Sequence, residues 1–376
     1  VIRILMAGGG TGGHLYPALA LAAALEAERP GVEIRFIGAR RGVESRVLPS
    51  QGRAYTLLPL EPIRRSRVWE NWRLIPAMAS TLRGVRKVFR EFRPNLVVGT
   101  GGYASGPVCA WGVLSGVPVA IQEQNSYPGL TTRWLARRAR QVHLGFPEAR
   151  SYLSPGPETE VLALGNPIRP PDPTLDRAAC RREFGLDPEG VVVLVVGGSQ
   201  GARAVNEALA GALERVAAGE LGGRPAGVQL LWATGPANLE AVEARLAPLG
   251  VGSWVRVVGY IEEMPKALAA ADLAVSRAGA MSTAEQLAWG LPALLVPLPT
   301  AAADHQTHNA RSLAEAGAAV WVPQSELTPE RLWTELRGLV EDEGRRREMA
   351  ARARERARPD AAREIARKLL TLVDES

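Results

Sequence analysis

A histidine closes a run of glycines near the start of this chain, Gly8-Gly9-Gly10-Thr11-Gly12-Gly13-His14, directly after the apolar residues 2–6. A neutral imidazole can accept a proton near pH 7. Backbone amides at the positive end of a helix can meet an anion there. His14 therefore reads as a general base or as a residue that caps and packs. A second glycine turn, Gly197-Gly198-Ser199-Gln200-Gly201-Ala202, follows the apolar run 191–196 and repeats the pattern without a histidine. A third, at residues 99–106, includes Gly101, Gly102 and Tyr103 and points to a further anion or sugar contact. Gln122-Glu123-Gln124-Asn125 gathers a carboxylate and amides after the apolar residues 117–121. Such a cluster suits sugar hydroxyls, or else satisfies its own loop. Residues 277–285 place Glu285 in the first turns of a helix, where a carboxylate can accept both hydroxyls of a ribose. His305 and His308 share a helix start at residues 304–309, but no further ligands at metal spacing accompany them. Gln306 and Asn309 are the better candidates there, as partners of sugar hydroxyls.

The elements that must position these residues alternate in type. Strands are expected at residues 2–6, 33–37, 96–98, 117–121 and 141–144, with helices at 15–28, 72–90, 103–114 and 130–138. After a turn-rich segment at 164–173 the alternation restarts. Strands are expected at 191–196, 229–232, 255–258, 273–275 and 293–296, and helices at 202–217, 238–247, 280–289, 305–315 and 329–340. This is the pattern of an α/β protein with two parallel-sheet, Rossmann-like domains. Ligands bind such sheets at the strands' carboxyl ends, so a cleft between the domains is the expected site. The domains are expected at 1–164 and 165–343. A helical tail at 344–376, interrupted near Pro359, would be free to pack back on the first domain.

At 376 residues and 46% hydrophobic, the chain can bury two cores. Its net charge of +6 is carried by arginine, the only lysines being Lys87, Lys266 and Lys368. That balance suits phosphate-rich ligands or an anionic membrane face. Cys109 and Cys180 form no metal spacing, and a reduced setting is expected. The sequence enters a strand directly, without a signal-peptide pattern. Its most apolar stretch, 108–121, is cut by Gly112, Gly116 and Pro118 and is too short to span a bilayer. A soluble protein that at most touches a membrane surface is expected.

Gly8-x-Gly10-x-x-Gly13 formally matches a dinucleotide fingerprint, but that motif wants an acid at the end of the second strand. Here the strand runs into Gly38-Ala39-Arg40, which disfavours a dehydrogenase. A nucleic-acid binder is suggested only by the basic charge, with no stacking platform or reading helix beside it.

Taken together, the glycine turns at 8–14, 99–106 and 197–202, Glu123-Gln124-Asn125 with residues 128–131, residues 165–169 and residues 278–285 resemble the MurG family of peptidoglycan glycosyltransferases. The resemblance runs in order over nearly the whole chain. It implies a GT-B fold with the acceptor, lipid I, on the N-terminal domain and UDP-N-acetylglucosamine on the C-terminal one. By that resemblance Ser199, Gln200 and Gly201 would meet the diphosphate, with Arg169 close by. Ile261 would offer its backbone to uracil, and Glu285 would hold the ribose beside Ala280, Met281, Ser282, Thr283 and Ala284. Gln306 would bind the sugar hydroxyls, Asn125 would reach the donor sugar from across the cleft, and Thr11, Gly12 and Gly13 would line it. Gly10, Gly101, Gly102 and Tyr103 would lie on the acceptor side. One departure is visible: the family often has His where this chain has Gln122, which leaves His14 as the imidazole base and Glu123 as its carboxylate rival.

The implied reaction is an inverting, metal-independent displacement at the anomeric carbon, needing no cofactor and no protein nucleophile. Because the acceptor carries a polyprenyl chain, the basic, aromatic segment 62–93 is a candidate membrane contact. Trp69, Trp72, Arg73 and Ile75 would touch lipid, while residues 82–89 are better read as a helix with its apolar face on the core. A peripheral place on the cytoplasmic membrane face follows, with cell-wall synthesis and division proteins as candidate partners and no nucleic acid. A UDP-sugar 2-epimerase on the same fold is the enzymatic rival, but it has no use for a lipid-facing patch.

Overall fold

The computed structural model describes residues 1–61 and 75–375. By its contacts the chain forms two units, Val1–Arg169 with Arg358–Ser376, and Pro170–Ala357. In the first, β1 (Arg3–Ala7), β2 (Glu33–Ala39), β3 (Tyr55–Leu58), β4 (Leu96–Gly99), β5 (Val119–Glu123), β6 (Gln141–Leu144) and β7 (Glu160–Leu162) pair in parallel. Their order is β3-β2-β1-β4-β5-β6-β7. The central strand shows why the sheet is buried on both faces. Leu5 and Ala7 enter one core and Ile4 and Met6 the other, in the period-two alternation of a strand. The helices are α1 (Gly12–Glu28), α2 (Glu44–Ser50), α3 (Ile75–Phe92), α4 (Gly102–Leu114) and α5 (Leu130–Leu135). Ala7 pairs with Gly99 in the β1–β4 register, so the turns leaving these strands sit side by side. The strand order reverses at that point, which is where open α/β sheets bind ligands.

The second unit repeats the plan. Strands β8 (Val191–Val196), β9 (Val228–Ala233), β10 (Val255–Val258), β11 (Leu273–Ser276), β12 (Ala293–Leu295) and β13 (Ala319–Trp321) run in the order β10-β9-β8-β11-β12-β13. Its helices are α6 (Arg177–Glu183), α7 (Arg203–Ala217), α8 (Leu239–Leu246), α9 (Met264–Ala270), α10 (Ala280–Ala288), α11 (His305–Glu315), α12 (Pro329–Glu341) and α13 (Glu343–Arg356). Here the switch point lies between β8 and β11, which lead into the second glycine turn and into the segment that carries Glu285.

The tail divides rather than forming one piece. Helix α13 stays with the second unit, where Met349 is buried and Arg356 donates to Ser312 Oγ at 2.7 Å. Pro359 disfavours helix at the residue before it, and α14 (Ala361–Asp374) then joins the first unit. Its Ile365 and Leu369 are fully buried in the core that holds Leu21 and Leu25 of α1. Each such side chain contributes about 1.5–3 kcal/mol by leaving water. Arg29 pairs with Asp374 and Arg367 with Glu28 around that contact.

The contacts divide the chain after Arg169 rather than after the expected 164, because buried Asn166 bonds Gln122 and Gln124 of the first unit. Strands β3, β7 and β13 and helices α2, α6 and α9 were not legible. They are short, and β7 is a half-exposed edge of three residues. In α3 the core reading holds for Val85, Val88 and Phe89, which are buried, whereas Leu82 points outward at 40% exposure. Among the described residues no helix is long and apolar enough to cross a membrane. Trp69, Trp72 and Arg73 lie outside the described residues, as does the side chain of Ile75.

Candidate functional site

In the first unit, Thr11 stands at the N-cap of α1 but its hydroxyl makes no cap bond. Its Oγ1 lies 3.0 Å from His14 Nδ1 instead. With the proton on Nδ1, Nε2 carries the lone pair that a base requires. Two contacts hold His14 in place. Thr100 Oγ1 donates to the His14 carbonyl at 2.7 Å, and the imidazole lies against Gly101, where a Cβ would come within 2.5 Å of Cδ2. Gly101 has φ +92 and Gly102 φ +77, and a Cβ on Gly102 would strike the Gly9 carbonyl at 2.1 Å. The glycines of the third turn thus let α4 approach the first turn closely. The Tyr103 ring covers Gly10 in the same way, and burial pushes its phenol above the ordinary range, helped by the charges of Glu44 and Glu61.

A chain of buried amides lies beneath. Asn166 Nδ2 donates to the Gln124 carbonyl at 3.0 Å, Gln122 Nε2 to Asn166 Oδ1 at 3.0 Å, and Gln124 Nε2 to the Thr100 carbonyl at 2.8 Å and to Gln122 Oε1. Gln122 is fully buried. Position 122 is therefore a support for the loop rather than the place of a second exposed base. Glu123 is likewise 4% exposed, and both of its oxygens are engaged. Oε1 accepts from the Asn125 backbone N–H (3.1 Å) and Nδ2 (3.3 Å), and Oε2 from Gly129 N–H (3.0 Å) and Thr132 Oγ1 (2.6 Å). These bonds set the 125–129 loop and the start of α5. They give Glu123 a structural task and hold Asn125, which is half-buried, by two donors.

In the second unit the 197–201 turn is exposed at Ser199 and Gln200. It packs by its ends. A Cβ on Gly197 would meet Ala202 N at 2.1 Å, and one on Gly201 (φ +74) the Thr234 carbonyl at 1.8 Å. At the end of β11, Arg277 is half-buried and its Nη1 donates to the Val296 and Pro297 carbonyls at 3.1 and 3.2 Å. It has no carboxylate partner among the described residues, and burial holds its pKa below the ordinary value. Glu285 lies on the second turn of α10, and burial pushes its pKa up to about 7. Its carboxyl has no side-chain partner among the described residues, so a ligand hydroxyl is the group able to satisfy it.

Gln306 is fixed by the Leu298 N–H, which donates to its Oε1 at 2.9 Å. Because that contact needs an acceptor, the NH₂ must face the other way, as a donor. Ile261 buries its side chain in the core on the loop after β10, where its N–H and C=O make no hydrogen bond within the described residues. Ala280, Met281, Ser282 and Ala284 line the start of α10. Two of the expected contact side chains face inward. Asn309 is fully buried and donates to the Ala278 carbonyl at 3.1 Å, a brace rather than an exposed sugar contact. Thr283 is 1% exposed and donates back to Gly279 and Ala280 carbonyls, so its side chain faces the core.

Arg169 is exposed at the end of the first unit's leading segment. His305 Nδ1 lies 2.8 Å from the Ala302 carbonyl, and among the described residues no three His, Cys, Asp or Glu gather as a metal site. Sequence reasoning missed Glu44 entirely. It is fully buried, and its Oε1 accepts from Gly10 N–H (2.9 Å) and Ala39 N–H (3.0 Å). The signal was present in the spacing Gly38-x₃-Gly42-x-Glu44, since a Cβ on either glycine would collide with that side chain.

Two family models match in chain order: the glycosyltransferase family 28 N-terminal domain over residues 4–144 and its C-terminal domain over residues 192–365. The chain belongs to glycosyltransferase family 28. Within this family it is 43% identical to the UDP-N-acetylglucosamine–N-acetylmuramyl-(pentapeptide) pyrophosphoryl-undecaprenol N-acetylglucosamine transferase of Moorella thermoacetica, covering 99% of this chain and 100% of that protein. The protein of the same name in Salinibacter ruber is also 43% identical, over 99% and 97%. The crystal structure of Acinetobacter baumannii MurG superposes with a TM-score of 0.77 at 30% identity, covering 99% of this chain and all of that one. The two parallel sheets are thus those of a GT-B glycosyltransferase. Members of this family are hexosyltransferases.

Proposed function

We propose that this family 28 enzyme transfers N-acetylglucosamine from UDP-N-acetylglucosamine to the muramyl 4-hydroxyl of undecaprenyl-pyrophosphoryl-MurNAc-pentapeptide. The observation that carries the residue assignment is the asymmetry of the switch points. The second unit holds a partly buried carboxyl without a partner and an oriented amide, while the first holds an oriented imidazole. On this reading Glu285 accepts the two ribose hydroxyls, the backbone of Ile261 meets uracil, and Gln306 Nε2 donates to the sugar. Amides of the 198–202 turn, Ser199 and the uncompensated charge of Arg277 face the diphosphate. Electrostatic groups already in place where charge develops lower the barrier most effectively.

The first unit supplies the acceptor side. The muramyl hydroxyl oxygen forms a bond to the anomeric carbon as the bond from that carbon to the UDP oxygen breaks. The proton passes to His14 Nε2, and the leaving electron pair goes to the diphosphate. Attack from the face opposite the leaving group turns an α-linked donor into a β-1,4 product. Holding both sugars in line removes much of the entropic barrier. Gly10, Gly101, Gly102 and Tyr103 border His14 and form the acceptor wall, with Asn125 reaching toward the donor sugar. Gln122 and Glu123 position the loops. The exposed basic face of α3, with Arg83, Arg86, Lys87 and Arg90, supports a peripheral place on an anionic membrane, facing the cytoplasm.

The test supplies radiolabelled UDP-N-acetylglucosamine and a lipid I analogue, with and without chelator. Transfer of label to the lipid in both arms is expected. No transfer would sink the proposal, and loss only with chelator would sink its metal-independent form.

A further inference from the structure

Among the described residues, buried Arg181 is paired with Asp272 and buried Glu123 accepts from four donors; Glu44 is held differently. Its carboxylate is enclosed at 0% exposure in a space left by three glycines from three segments. A Cβ would stand 1.8 Å from Oε1 if added to Gly9, 2.0 Å from Oε2 if added to Gly42, and 2.7 Å from Cγ if added to Gly38. Oε1 accepts the N–H groups of Gly10 and Ala39, and Oε2 is buried without a hydrogen-bond partner. A glycine turn after the first strand of such a sheet ordinarily directs its amides at a bound anion. Here the acceptor for the inner part of the turn is built into the chain.

We propose that Glu44 is a positioning residue for the transfer. It acts as an internal hydrogen-bond acceptor that fixes Gly9 and Gly10, so that Thr11, Gly12, Gly13 and His14 face outward. The outward half is packed more loosely: a Cβ on Gly12 would meet only the Tyr16 ring, at 3.2 Å. A Cβ on Gly13 would meet nothing closer than 3.8 Å, whereas Gly8, Gly9 and Gly10 are each closed off by Thr100, Glu44 or Tyr103. Gly10 is clamped between the Glu44 carboxylate on one side and the Tyr103 ring on the other. Three residues separate that clamp from the imidazole, so release of Gly10 moves the base. The inference rests on the reading of His14 as the base, and its test separates the two.

The variants are Glu44→Ala, Glu44→Gln, Glu44→Asp and His14→Ala, with Glu44→Ala/His14→Ala as the double. Each is assayed with UDP-N-acetylglucosamine and a short-chain lipid I analogue, and each is melted to establish folding. Glu44→Ala is expected to lower kcat roughly tenfold or more, with the donor KM unchanged. Glu44→Gln keeps an acceptor oxygen for Gly10 and Ala39 and is expected to recover most of the loss. Glu44→Asp keeps the charge but draws the oxygens back by one methylene, and is expected to stay impaired. In the His14→Ala background the Glu44 change should add little, because it acts through that residue.

A folded Glu44→Ala with wild-type kcat, or one whose loss appears in the donor KM, would overturn the inference. If Glu44→Ala does not fold, the Gln and Asp variants decide: equal activity in the two would overturn it. Full activity in His14→Ala would instead sink the base assignment, whatever Glu44 does.

Discussion

The turns that follow β1 and β8 share a glycine pattern and differ in what fills them. The first is occupied from within by the Glu44 carboxylate on Gly10 N–H. At the second, no carboxylate hydrogen-bonds to the turn among the described residues, and Ser199 and Gln200 are exposed. A glycine pattern therefore reports close approach to the backbone, without saying whether a ligand or the protein's own side chain approaches. The first turn, its inner amide already satisfied by Glu44, is left to present His14. The second is left open, with Ser199 and Gln200 exposed. The same contrast separates two glutamates. Glu123 has four donors and shapes a loop, while Glu285 has none from side chains and awaits one.

The contrast can be broken in order of expected effect. His14→Ala should lower turnover by about 10²–10⁴-fold, the range for a lost general base, as measured by steady-state transfer at saturating donor. Glu285→Ala should raise the donor KM by roughly tenfold or more, as expected when hydrogen bonds to a charged acceptor are lost. The pH dependence of Glu285 has a definite sign. Its carboxyl is shifted from 4.5 up to about 7 by burial. Donor affinity should therefore weaken as pH falls from 8 to 6 and the carboxyl becomes protonated. Stability of the free enzyme runs the other way. A raised pKa favours the protonated folded form, so the contribution is complete below the unfolded value near 4.5 and is lost as pH rises through about 7. Glu285→Gln should melt higher than wild type at pH 8, with little difference at pH 5; equal melting at both would remove the burial argument.

A smaller effect is expected for Gln306→Glu, which keeps the acceptor for Leu298 N–H but loses the donor. A rise in donor KM of about threefold to tenfold is expected, with the melting temperature unchanged. Gly13→Ala is the finest probe. Its Cβ has room and Ala favours helix by about 1 kcal/mol over Gly, so stability should hold or rise. A fall in turnover at full stability would place substrate against that outer half of the turn.

The parallel alternation was legible because β8 is fully apolar, β1 is apolar after Arg3, and helices follow them at regular intervals. The switch points followed from that, and with them His14 and Glu285. What was not legible depends on contacts between distant segments. Glu44 lies on a seven-residue helix, and although Gly38 and Gly42 stand near it in sequence, Gly9 and Gly10 meet its carboxylate only in the fold. Asn309 and Thr283 carry the right groups for a sugar or phosphate, yet both face inward, a choice that helix phase alone does not reveal. Gln122 looked like a missing base because a residue type can be read from sequence, while full burial cannot.

The division of labour between the two units is tested most directly by equilibrium titration of UDP-N-acetylglucosamine into wild type, His14→Ala and Glu285→Ala, paired with single-turnover transfer by the same preparations. Wild-type donor affinity in His14→Ala with transfer lost, together with weakened affinity in Glu285→Ala, is the expected result. Donor affinity weakened equally in both variants would contradict it.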